Sequence, residues 1–144
     1  MFWISHRGNL TTTISARENS PEYILEALNA DFDVEVDVWL YNNELYLGHD
    51  RPIYKTDIKF LLHNRLWCHA KNINALEMML FFKVHCFYHI NDPVTLTSRH
   101  YIWTFPDRFL TKQSICVLPE ISGQDWRECA GVCSDIISVL RATR

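Results

Sequence analysis

Residues 33–40 read DVEVDVWL, and their alternation settles what kind of sheet this chain builds. In an extended strand successive side chains point to opposite faces, so Val34, Val36 and Val38 share one face while Glu35 and Asp37 share the other. Other runs have the same β-branched and aromatic character: MFWIS (1–5), ELYLGH (44–49), RLWCHA (65–70), HCFYHI (85–90), YIWTF (101–105), SICVLP (114–119) and GVCSDIISVL (131–140). Several are nearly continuous in apolar residues, as expected of parallel strands covered on both faces. An α/β class is the expectation.

Working outward from that strand, NSPEYILEALNA (19–30) reads as a helix with Ser20 as N-cap, Pro21 at its first position and Tyr23, Ile24, Leu25 and Leu28 on an apolar face. NINALEMMLFFKV (72–84) reads as a second helix and YKTDIKFLLHN (54–64) as a shorter one. Asn42-Asn43 suits a tight hairpin turn after residues 33–40. Beyond residue 90 the spacers NDPVTLTSRH, PDRFLTKQ and EISGQDWRECA are too short or irregular for full helices, yet strand-like runs continue between them. The second half therefore reads as the plan of the first with its helices cut down.

The chain has 144 residues, 48% of them apolar and 22% charged, enough for one compact domain over 1–144. Its formal charge of −3 disfavours extended contact with nucleic acid or an anionic membrane, and leaves room for a small anion held by local cations. No apolar run is long enough to span a membrane and no secretory pattern opens the chain, so a cytoplasmic location is expected. The cysteines, Cys68, Cys86, Cys116, Cys129 and Cys133, are odd in number and read as buried thiols of a reducing compartment.

Two like-charged carboxylates on one face of an apolar strand repel unless a positive charge lies between them. For Glu35 and Asp37, about 6.5 Å apart along the strand, a hard divalent cation bound by carboxylate oxygens supplies that charge. A solvent-facing hairpin edge would give the same alternation, so both readings stand. His6 in SHRGN and His49 in LGHDR each end a strand-like run beside a glycine. A pair of imidazoles on opposite sides of a phosphate serves as general base and general acid, and Arg7 can neutralise phosphate oxygens. His69 and Lys71, two apart near another strand end, add a metal-ligating or space-filling imidazole and a further cation. Asp92, Asp107, Glu120 and Asp135 read mostly as loop or helix caps, and His63, His85, His89 and His100 as surface or core histidines.

Taken in order, SHRGN, RENSPEYILEAL, DVEVDV, LYLGHDRP and WCHAKN resemble the glycerophosphodiester phosphodiesterase family, and GVCSDII is similar to its last strand. The resemblance implies a reduced TIM-barrel-like (β/α) barrel with several outer helices shortened or missing. It implies His6 and His49 as the acid and base pair and Arg7 and Lys71 as substrate-binding residues. Glu35 and Asp37 become metal ligands, with Glu18 and Asn19 supporting the site. The family carries a carboxylate where this chain has His69; as a third ligand, an imidazole softens the site, so Mn²⁺ or Zn²⁺ join Mg²⁺ and Ca²⁺ as candidate ions.

The function implied is metal-dependent hydrolysis of a small glycerophosphodiester or sugar-phosphate diester. The alternatives are a non-catalytic module that binds phosphate or phosphosugar, and a phospholyase that stops at a cyclic phosphate. Stripped barrel strands would expose apolar surface, so a homo-oligomer is expected.

Overall fold

The computed structural model describes residues 1–144. Ten strands and five helices follow in the order β1 (Phe2–His6), α1 (Pro21–Asn29), β2 (Asp33–Tyr41), β3 (Glu44–Leu47), β4 (Tyr54–Thr56), α2 (Ile58–Leu61), β5 (Leu66–Ala70), α3 (Ile73–Phe81), β6 (Cys86–Tyr88), β7 (Val94–Leu96), β8 (Ile102–Thr104), β9 (Ser114–Val117), α4 (Pro119–Ser122), β10 (Gly131–Ser134) and α5 (Ile137–Ala142). No helix is long and apolar enough to cross a membrane.

All strands belong to one mixed sheet. Parallel pairing runs β6-β5-β2-β1-β10-β9-β8, while β3, β4 and β7 join antiparallel. Neither the expected α/β class nor the expected reduced TIM barrel holds. The sheet curls into a half-barrel, only 22% of the chain is helical, and helices do not alternate with strands around it. β6 and β8 form no ladder with each other; the rings of Phe87 and Trp103, stacked at 4.6 Å, meet between them instead. Antiparallel strands fill several places where barrel helices were expected. β3 and β4 occupy the β2–β5 connection ahead of the single-turn α2, and β7 lies within the spacer 91–100. The run 131–140 also divides, into β10 and α5.

Local signals explain the elements that do form as expected. Ser20 Oγ accepts from the Tyr23 N–H at 3.3 Å and Pro21 opens α1, which satisfies one of the free donors of the first turn. Asn72 Oδ1 does the same for Ala75 at the start of α3, and the Asn72 amide donates to Leu40 O at 2.9 Å, tying that cap to β2. Asn42 and Asn43, at φ of 50° and 61°, form the turn from β2 to β3.

Burial divides by face. On the convex side, Val34, Val36 and Val38 join Cys68, Ala70 and the inner faces of α1 and α3 in a core of 16 buried residues. Each large aliphatic side chain so buried contributes about 1.5–3 kcal/mol. On the concave side, Ile4, Trp67, Phe87, Trp103, Ile115, Val117 and Cys133 form a second layer. That layer floors the hollow at the C-terminal ends of the parallel strands.

Candidate active site

β2 carries the centre of the site. Because its valines bury outward, Glu35 and Asp37 point into the hollow, 2% and 0% exposed. The parallel register places Asp37 beside His69 and Glu35 beside Trp67 of β5, with His6 of β1 across from Glu35. His69 Nδ1 lies 3.2 Å from Asp37 Oδ1 and 3.9 Å from Glu35 Oε1. The solvent-facing alternative for this strand is thereby removed.

Asp37 is enclosed by donors and cations. Arg7 Nε stands 2.9 Å from Oδ2, which also accepts from the Asn19 amide at 2.9 Å; Lys71 Nζ stands 3.4 Å from Oδ1. The Asp37 N–H in turn donates to Asn19 Oδ1 at 2.9 Å. Burial disfavours its charge, but His69, Arg7 and Lys71 hold the carboxyl well below the ordinary range. For Glu35 burial wins, and with repulsion from Asp37 it pushes the carboxyl up. The two neighbouring carboxyls are thus shifted in opposite directions, a property of functional pairs.

His6 is oriented by a residue 129 positions away. Its Nδ1–H donates to Asp135 Oδ1 at 2.7 Å, which leaves Nε2 as the free ring nitrogen, 3.9 Å from Glu35 Oε2. Burial works to lower its pKa, but the Asp135 hydrogen bond and the Glu35 charge outweigh it, so the imidazole titrates above its ordinary value. The Asn9 amide donates to Asp135 Oδ1 and to Glu18 Oε1, both at 2.8 Å, and Glu18 Oε2 accepts from Arg7 at 3.3 Å. The backbone is bent to hold this arrangement. Arg7 and Asn19 sit at φ of 55° and 63°, a region that costs a non-glycine residue roughly 1–2 kcal/mol.

His6, Arg7, Glu35, His49, His69 and Lys71 line one cavity of about 520 Å³, with Asp37 beneath them. Glu18 and Asn19 line an adjoining cavity that shares Arg7 and His49. All nine residues singled out from the sequence therefore come together. His49 is the most open of them; its Nδ1–H donates to Asp50 Oδ1 at 2.7 Å. Asn19, expected to support the site, clamps Asp37 through both amide atoms.

Sequence reasoning missed Asn9, Asp135 and His89. Asp135 was expected to cap a loop, yet it holds His6; its place after GVCS, in the run set beside the last family strand, was the available signal. His89 lines the same cavity, stacks on His69 at 4.3 Å, and its carbonyl lies 3.4 Å from His69 Nε2.

Glu35, Asp37 and His69 offer ligand atoms within 4.8 Å of one another, and the set fits a divalent cation. Glu35 Oε2 and Asp37 Oδ1 are buried without a hydrogen-bond donor in proper geometry, a costly condition that an ion relieves. Four carboxylates (Glu18, Glu35, Asp37, Asp135) face two permanent cations (Arg7, Lys71), a formal balance of −2. His69 Nδ1 faces Asp37 Oδ1 as a donor; the other tautomer, which donates Nε2–H to the His89 carbonyl at 3.4 Å, would turn Nδ1 into a ligating lone pair for a cation. Comparison with family models, with curated proteins and with solved structures finds no match to this chain.

Proposed function

We propose that this protein is a metal-dependent phosphodiesterase, of the kind the glycerophosphodiester phosphodiesterases represent, acting on a small glycerophosphodiester or sugar-phosphate diester. One observation carries the reading: a carboxylate-oriented histidine, His6, stands beside a buried Glu35/Asp37/His69 cluster in a cavity that also presents Arg7, Lys71 and a second histidine. A divalent cation, Mg²⁺ or Ca²⁺ before Mn²⁺ or Zn²⁺, would be held by Glu35, Asp37 and His69, neutralising phosphate charge and acidifying a neighbouring substrate hydroxyl. His6 exchanges a proton at Nε2 while Asp135 stabilises the imidazolium; His49, whose Nδ1 is likewise committed to a carboxylate, exchanges the other. Arg7 and Lys71 draw the phosphate toward the cluster. The five free thiols accord with a cytoplasmic location, and exposed Ile73 and Phe81 on α3 offer surface for self-association.

A panel of phosphodiesters assayed with each metal is the test. Alcohol release is expected, and His6→Ala should lower turnover by roughly 10²- to 10⁴-fold. Asp135→Asn should cost less and move the pH profile to lower pH, because Asp135 raises the imidazole's pKa. Failure to turn over with any metal at any enzyme concentration overturns the enzyme reading.

The second reading is a binding module for phosphate or phosphosugar. Asp37, already enclosed by Arg7, Asn19, His69 and Lys71, favours it. Calorimetry showing metal-dependent phosphosugar binding without cleavage would select it, and phosphorus NMR of a cyclic product would select the phospholyase.

A further inference from the structure

The two adjoining cavities share Arg7 and His49 but have different walls. The first, about 520 Å³, is closed on the side away from the carboxylates by Tyr88, Ile90, Trp103, Phe105, Val117 and Leu118. The second, about 560 Å³, is walled by Ser15, Glu18, Asn19, Asp50 and Arg51, with Ile53 as its only apolar residue. A phosphate at Arg7 and His49 has one neighbour of each kind.

The apolar wall is built from rings. Phe105 stands edge-on to His89 at 4.5 Å and 85°, His89 stacks on His69, and Trp103 stacks on Phe87. Such faces and edges favour a further flat ring over a flexible chain. Leu118 is held in this wall at φ 48°, ψ 54°, a left-handed conformation that is uncommon for a bulky residue and gathers at ligand sites. Buried Trp67, Phe87 and Ile115 lie in the layer beneath this lobe.

We infer that the substrate is an asymmetric phosphodiester, with an aromatic group esterified on the side of Trp103 and Phe105 and a hydroxyl-bearing group on the side of Ser15 and Arg51. The inference rests on the phosphodiester reading. Phosphate monoesters carry one group each and so report the lobes separately. Calorimetric titration of the Mn²⁺-loaded protein with phenyl phosphate, n-butyl phosphate and glycerol 1-phosphate is the experiment. Phenyl phosphate should bind roughly tenfold more tightly than butyl phosphate, and Phe105→Ala should abolish that margin while glycerol 1-phosphate affinity stays within twofold. Arg51→Ala should weaken glycerol 1-phosphate more than phenyl phosphate. Circular dichroism and urea unfolding establish that each variant is folded, and Phe105→Leu, which keeps the bulk without the ring, should also lose the margin. Equal affinity for phenyl and butyl phosphates overturns the aromatic assignment and leaves the phosphate site standing. If none of the three monoesters binds, the phosphodiester reading falls with it.

Discussion

The arc formed by β1, β2 and β5 and the arc formed by β8, β9 and β10 use the two faces of one sheet in opposite ways. In the first, helices α1 and α3 of nine residues each cover the convex face, and Val34, Val36 and Val38 pack beneath them. In the second, α4 and α5 have four and six residues, and the convex core is only Phe32, Val132 and Ile137. β9 accordingly sends Ile115 and Val117 inward. A strand can turn charge into a shared hollow only where its other face supplies the burial. The helix-backed arc affords that and became the polar side of the site; the other stayed apolar and became its wall.

The strongest way to break this comparison is to remove the carboxylate at its centre. Asp37→Ala leaves Arg7 and Lys71, whose side chains are 18% and 16% exposed, facing a cavity in place of their partner. A loss of about 3–5 kcal/mol is expected from urea unfolding, together with loss of Mn²⁺ binding by calorimetry. A variant as stable as the native chain would mean that the inward charges are not a structural unit.

The contrast between the arcs also marks what the sequence made legible. The inward pairing of Glu35 with Asp37 could be read because both signals lie within one strand, where valine alternation fixes the faces. The Ser20 cap and the Asn42-Asn43 turn were legible for the same local reason. The reduced TIM-like barrel implied by the resemblance was a wrong expectation, and periodicity could not correct it, because it reports that a strand exists and not which strand it pairs with. Nothing local distinguishes β7, in a spacer read as irregular, or shows that β6 and β8 would meet through rings without a ladder. The nine site residues were legible through linked motifs, whereas His89 has no companion motif and reached the site through the packing of rings.

A smaller effect comes from a histidine that stands below the site. His85 is buried just before β6, with Nε2 3.0 Å from Thr97 Oγ1, its ring 4.2 Å from that of Trp67, and Nδ1 without a partner. Burial, reinforced by the positive charge of Arg99, lowers its pKa from 6.5 to about 3. Between those values the unfolded chain takes up a proton that the folded chain refuses. Stability attributable to His85 is therefore present above about pH 6.5 and lost as pH falls toward 3, at up to about 1.4 kcal/mol per pH unit. His85→Gln keeps a donor for Thr97 and removes the titration. Urea midpoints between about pH 4 and 6.5 should fall less steeply for the variant than for the native chain; parallel slopes would place the acid sensitivity elsewhere.

The smallest effect compares how helices of the two arcs end. α4 stops at Gly123, φ 68°, and α3 stops through Lys83 at nearly the same angle, φ 61°. Lys83 is exposed, and its N–H and that of Val84 donate to Leu80 O and Met79 O at 3.1 and 2.9 Å, closing the last turn. A left-handed residue with a Cβ costs roughly 1–2 kcal/mol, part of which a glycine returns through the freedom of its unfolded state. Lys83→Gly should therefore stabilise by about 0.5–1 kcal/mol, and Gly123→Ala should destabilise by a similar amount. An added Cβ at Gly123 meets nothing within 4 Å, so that loss reports backbone strain without steric overlap. Opposite signs in urea unfolding would show that the end of α3 carries strain its extensive core can absorb, which α4 avoids at its own end with a glycine. Equal signs would mean that the two helix ends are not comparable, and that the tolerance of the first arc lies in its packing alone.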